Sequence, residues 1–249
     1  MTGTALIPVH VSTELDALAL RYRRAGGVGL EVLNLLGGQA ENLLERLPAR
    51  IKDQMEDATG RALQVALRAA ADSRGRLPDQ SAGVNTGIAA VMGAAGGFGG
   101  LPTALAELPL TTTMLLRAIL GVAARHGFDP ADPAVQQDCL TVFAAAGPLA
   151  EDDGAEMGFL AARVTLTGAT LRGLIARVAP RFSAVLGQKL AAQTVPILGA
   201  AAGAATNYAY TRYYQEIAHV HFGLRRLALD SGADPATLAR ELRARMQRR

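Results

Sequence analysis

Two uncharged segments constrain this chain more than any other feature. Residues 81–106 and residues 190–211 contain no Asp, Glu, Lys or Arg, and Gly and Ala dominate the first of them. Both reach the length of about 20 residues at which a membrane span has to be considered. In the first, Val84, Ile88, Val91, Phe98, Leu101 and Leu105 are the residues that favour hydrocarbon, and together they supply roughly −3 kcal/mol of insertion free energy. Asn85, Thr86, Pro102, Thr103 and the glycines oppose them, so insertion is close to neutral.

Geometry adds a second objection to a span. Residues 96–102, Gly-Gly-Phe-Gly-Gly-Leu-Pro, read as a turn. The arm before it, residues 82–95, is then about 20 Å long, short of the roughly 30 Å hydrocarbon thickness. The following arm, residues 103–125, carries Glu107, Pro109 and Arg117, with a bend expected at Pro109. The pattern predicts a Gly/Ala-rich helical hairpin, packed within the protein or dipping into a membrane interface. Gly83/Gly87, Gly93/Gly97, Gly96/Gly100 and Gly199/Gly203 are small-xxx-small pairs, which let helix backbones approach closely.

Strand alternation is nearly absent and helix signals dominate, so the fold class expected is an all-α, compact multi-helix bundle around this hairpin. Half of the 249 residues are hydrophobic but 4% are aromatic, so small side chains build much of the core. A first helix is expected after Ser12, and an amphipathic run from Pro48 through Ile51, Met55, Ala58, Ala62 and Val65 to Ala69. Asp72 to Gln80, with Gly75 and Pro78, reads as a linker. It divides an N-terminal helical part, 1–72, from a helical core, 81–249, the two forming one continuous unit. Asp132-Pro133 and Asp234-Pro235 each put a capping carboxylate before a proline at the first helical position.

Charge narrows the partners. The net charge is +3, and apart from Lys52 and Lys189 every basic residue other than histidine is Arg. These cluster at the C-terminus, where Arg240, Arg243, Arg245, Arg248 and Arg249 face a single acid, Glu241. Four of the five tyrosines fall within residues 207–214, beside Arg212 and at the end of the second uncharged segment. Aromatic rings next to a cation suit the hydrocarbon–headgroup boundary, and they suit the rim of a soluble core equally well. The candidate membrane or partner contacts are therefore Phe98, Leu101, Tyr208, Tyr210, Arg212, Tyr213, Arg240, Arg243 and Arg245. An anionic membrane surface, a membrane protein or an apolar ligand is the partner expected, and nucleic acid is not. Nothing in the pattern specifies an oligomeric state.

Catalytic signatures are missing. No phosphate-binding loop, dinucleotide fingerprint, zinc-protease helix or nucleophile elbow occurs. His219 and His221 stand at i, i+2, which sends them to different helix faces and prevents joint metal ligation. Glu151, Asp152, Asp153 and Glu156 read as a helix start rather than a cation site. Cys139, the single cysteine, rules out an intramolecular disulfide and reads as a core thiol. No catalytic residue, cofactor or metal is expected. Glu107, Arg117 and His126 form a candidate polar cluster. The N-terminal residues lack a basic stretch leading into an apolar one, so a cytoplasmic protein, peripheral on the inner face of the membrane, is expected.

Glu107-Leu-Pro-Leu-Thr-Thr-Thr113, Arg117-Ala-Ile119 and His126-Gly-Phe-Asp-Pro130 resemble the EcsC family of bacterial proteins, as does the block from Val195-Pro-Ile-Leu-Gly-Ala200 through Asn207, Ala218, Phe222, Arg225 and Leu227. The resemblance spans about residues 82–229. His126 stands where an aromatic is expected, and Glu107 where Asp is commoner. These are packing and turn motifs, and the resemblance implies a role linked to transport, secretion or membrane homeostasis. The function expected is a non-enzymatic, membrane-proximal interaction protein. The alternatives are a peptidase-like hydrolase assembled from Glu107, His126 and the 151–156 acids, and a carrier of a lipid or other apolar ligand.

Overall fold

One long helix, small and apolar in its first third and richer in aromatic and charged residues beyond, organises the molecule. The computed structural model describes residues 9–25, 60, 63–70, 82–97, 100–144 and 196–247. Six helices are named from these: α1 (Val9–Ala25), α2 (Ala82–Gly97), α3 (Gly100–Arg125), α4 (Pro133–Ala144), α5 (Pro196–Ser231) and α6 (Pro235–Met246). Residues 63–70 are also helical, and no strand occurs among the described residues, so the fold is an all-α bundle. The 36 residues of α5 extend about 54 Å at 1.5 Å each. It packs against all five other named helices, most extensively against α2.

The packing of α2 on α5 follows from the small residues of both. Ala89 is buried at the contact, where the Asn207 side-chain amide donates to its carbonyl at 3.0 Å. Nearby, the buried Thr86 hydroxyl donates to Gln215 Oε1 at 3.5 Å. A bulky apolar interface would exclude such polar groups. Here the backbones come close enough for side chains to reach across, and each buried group keeps a partner.

α2 and α3 are consecutive and contact each other. The sequence places a turn over 96–102, whereas α2 runs to Gly97 and α3 begins at Gly100. Pro102 lies in the first turn of α3, where its missing N–H leaves no bond unmade. α3 also runs on through Pro109, although an interior proline costs helix stability.

At 63–70 the buried face is Leu63, Ala66, Leu67 and Ala70, with Val65 exposed. The expected face through Ala62 and Val65 is thus rotated. The two leucines bring the larger apolar area, roughly 1.5–3 kcal/mol each when buried, and they set which side turns inward. Leu15, Leu116, Ile119, Leu120, Leu140, Ile217, Phe222, Leu238 and Leu242 complete the core. Cys139 is buried there, its thiol 3.7 Å from the Leu116 carbonyl.

Both aspartate–proline starts form. The Asp132 carboxylate accepts from the Ala134 N–H at 2.8 Å, and that of Asp234 from the Thr237 N–H at 2.9 Å. α1 packs on both α5 and α6, which joins the N-terminal part to the core. Arg245 of α6 fastens that contact, donating to Asp16 Oδ1 at 2.9 Å and to the Ser12 hydroxyl at 3.2 Å. The linker over 72–80, the Pro48 helix start and the 151–156 acids lie outside the described residues.

Candidate functional site

The turn after α3 is written into His126-Gly-Phe-Asp-Pro130. Gly127 has φ +78°, a conformation that disfavours any side chain. With it, the Phe128 N–H reaches the Ala123 carbonyl at 3.1 Å and the Gly127 N–H the Ala124 carbonyl at 2.9 Å. This is a Schellman closure of the helix end. Asp129 then accepts from the Ala131 N–H at 2.9 Å and directs the chain into α4.

Phe128 is held against α5. Its ring lies 5.7 Å from that of Phe222, and the Arg225 guanidinium sits over it at 4.4 Å. Arg225 in turn donates to Asp138 Oδ2 of α4 at 2.6 Å, and His221 Nε2 lies 3.6 Å from Asp138 Oδ1. The arrangement ties α3, α4 and α5 at one point. It accounts for Phe222, Arg225 and the Phe-Asp turn occurring in one chain.

On another side of α5, His219 Nδ1 lies 3.0 Å from His126 Nε2, and Arg125 Nη2 lies 3.5 Å from His219 Nε2. An arginine nitrogen can only donate. An Arg125 donor on His219 Nε2 fits the tautomer in which His219 Nδ1–H donates to His126 Nε2. Burial, then Arg21 and Arg125, lowers the His126 pKa, and burial, Arg21, His126 and Arg125 push that of His219 down to about 3.

His126 forms part of the wall of a cleft of about 470 Å³ between α1 and the C-terminal half of α5. Val11, Leu18 and Leu227 line it together with His10, Glu14, Arg226 and Asp230. Arg226 and Asp230 pair with each other, Nε to Oδ2 at 2.9 Å. Gly223 lets the walls close up, since a Cβ there would stand 2.7 Å from Leu18 Cδ2 and 3.4 Å from His126 Cε1.

A third feature lies on the outside. α2 turns Ala89 towards α5 and leaves Gly87, Ile88 and Val91 exposed, Val91 at 71%. On α5, Tyr208 and Arg212 are exposed one turn apart. Among the described residues no helix is long and apolar enough to cross a membrane.

The structure separates the residues named from sequence. Tyr208 and Arg212 are exposed, whereas Tyr210 and Tyr213 are buried in the core, which corrects their reading as surface contacts. Their side of α5 faces neighbouring helices. Arg240 is exposed, Arg243 is half-buried, and Arg245 is committed to Asp16, Glu241 and Ser12. Arg117 is buried within α3, while His126 lies beyond the end of that helix and pairs with His219. Phe98 and the side chains of Leu101 and Glu107 lie outside what is described. Sequence reading missed the His126–His219 pair, the Asp138–Arg225 pair and the role of Gly223. An acid within the apolar α4 and an arginine within the apolar stretch of α5 were the available signal for one of these.

The fold and its contacts define an all-α bundle assembled on one long helix, with its motif residues spent on turns and packing. Residues 35–227 match the EcsC protein family, and the chain belongs to it. No curated protein and no solved structure matches the chain.

Proposed function

We propose that this protein is a non-enzymatic interaction protein that works against a membrane surface, in a role linked to transport, secretion or membrane homeostasis. The observation that carries the reading is the outer face of α2, which exposes Ile88 and Val91 on a helix without a single charge. A soluble surface ordinarily breaks such a face with charged residues. Tyr208 and Arg212 stand on the neighbouring helix, the residue types that suit a headgroup boundary.

The imidazole pair supports binding over hydrolysis. His126 Nε2 is engaged with His219 Nδ1 at 3.0 Å, so it would have to leave that partner before it could meet a substrate. A second reading, a carrier of a small apolar ligand, rests on the cleft lined by Val11, Leu18 and Leu227. A native mass spectrum of the purified protein tests it by the mass of a co-purifying lipid.

Flotation of the purified protein with vesicles tests the first reading. Wild type is expected to float, and Ile88→Glu/Val91→Glu to remain in the dense fraction with unchanged helicity. Equal flotation of the two proteins, or none by wild type, overturns it.

A further inference from the structure

The sequence shows one basic cluster, at the C-terminus, and the fold gathers a different one. α1 and α5 run antiparallel. His10 and Asp230 line the same cleft, a Cβ on Gly223 would meet Leu18, and Arg21 pairs with Glu216 at 3.2 Å. One further turn in the same register sets Arg24, in the last turn of α1, level with Arg212 of α5. α2 reaches this level as well, through the Ala89–Asn207 and Thr86–Gln215 contacts. The last turn of α6 arrives at the same end of α1, where Arg23 donates to the Arg245 carbonyl at 3.0 Å. Arg243 belongs to that turn.

The wheel of α5 fixes the order around it. At 3.6 residues per turn, Asn207 and Gln215 mark the side that takes α2, and Glu216 and Gly223 the side that takes α1. Tyr208 and Arg212 fall between these sides, and both are exposed. Arg24 is exposed too, and among the described residues no acid pairs with Arg24 or Arg212. Glu216 is engaged with Arg21, and Asp16 and Glu241 with Arg245.

We infer that the face formed by Arg24, Arg212 and Tyr208, beside the C-terminal end of α1, is applied to an anionic lipid surface, with arginines from distant parts of the chain acting as one headgroup contact. The inference rests on the membrane reading above and adds which lipids and which face. Charge complementarity selects anionic headgroups. The exposed apolar residues of α2 at the same level favour a bilayer over a nucleic acid, whose phosphates would meet no apolar neighbour there.

The test is flotation of the full chain at low salt with phosphatidylcholine vesicles and with vesicles containing phosphatidylglycerol. Arg24→Ala/Arg212→Ala removes two exposed side chains without touching the core. Each basic residue near an anionic surface is worth about a fivefold change in binding. The double variant is therefore expected to bind phosphatidylglycerol vesicles roughly 25-fold more weakly. Neutral vesicles should bind both proteins alike, and circular dichroism should show the same helicity for both. Undiminished binding of the double variant to anionic vesicles overturns this inference and leaves the membrane reading standing. Failure of wild type to float on either vesicle overturns both. Binding of a single-stranded oligonucleotide that depends on the same two arginines, with vesicles ignored, also overturns the inference.

Discussion

Asp138 should be a costly side chain to remove. Its carboxylate accepts from Arg225 at 2.6 Å, the two side chains being 13% and 16% exposed. Removing one partner from a fully buried pair costs about 3–5 kcal/mol, because the other charge is left behind. The residual exposure here reduces this to about 2–4 kcal/mol for Asp138→Ala. In a chain of this size each kcal/mol moves Tm by about 2–4 °C, so the expected drop is roughly 4–16 °C.

Arg225→Met keeps an apolar stem over Phe128 but loses the cation over its ring, and takes from Asp138 its arginine partner. The double variant Asp138→Leu/Arg225→Met leaves neither charge. It should recover part of the loss, with a coupling energy of about 1–3 kcal/mol between the two positions. Thermal and urea melts of the four proteins measure that coupling. Single variants melting within about 1 °C of wild type, or effects that simply add, would refute the view that this pair joins α3, α4 and α5.

Two further predictions concern α5 and α2. Gly223→Leu should destabilise by about 1–3 kcal/mol, since even a Cβ would crowd Leu18 at 2.7 Å. Gly87→Ala, with nothing within 4 Å of the added carbon, should stabilise by up to about 1 kcal/mol through helix propensity; denaturant melts that rank the two in the opposite order would contradict the packing described. His219 should make the fold acid-sensitive, because its folded pKa lies near 3 against 6.5 unfolded. Above 6.5 both states are neutral and nothing is lost. Between pH 6.5 and 3 the unfolded chain takes up a proton that the folded one refuses, so stability falls as pH falls. His219→Gln should therefore show a shallower acid limb in urea melts across that window, and identical limbs would rule out the buried neutral ring.

The helical class was legible because apolar periodicity, caps and the absence of strand alternation all agree. Asp132-Pro133 and Asp234-Pro235 gave two helix starts that the structure reproduces to the residue. What could not be read was which face of a helix turns inward when both faces are apolar. Tyr210 and Tyr213 differ from Tyr208 only by their angle around α5, and an angle means nothing until the neighbouring helices are known. For the same reason Val65 looked like core while Leu63 and Leu67 took its place. The histidine pair was invisible for a different cause. His126 and His219 lie 93 residues apart, and no local rule links them. The i, i+2 spacing of His219 and His221 did carry information, since one ring meets His126 and the other Asp138.

The docking of α1 on α5 and α6 has a consequence in time. Arg23 meets the carbonyl of a residue 222 positions later in the chain. Translation adds about 5–20 residues per second, so α1 leaves the ribosome roughly 10–40 s before the helix it must cover. Until α5 and α6 emerge, Val11, Leu15 and Leu18 lack the surfaces that those two helices give them in the finished bundle. The docking of α1 on α5 and α6 therefore waits on the last of the described helices.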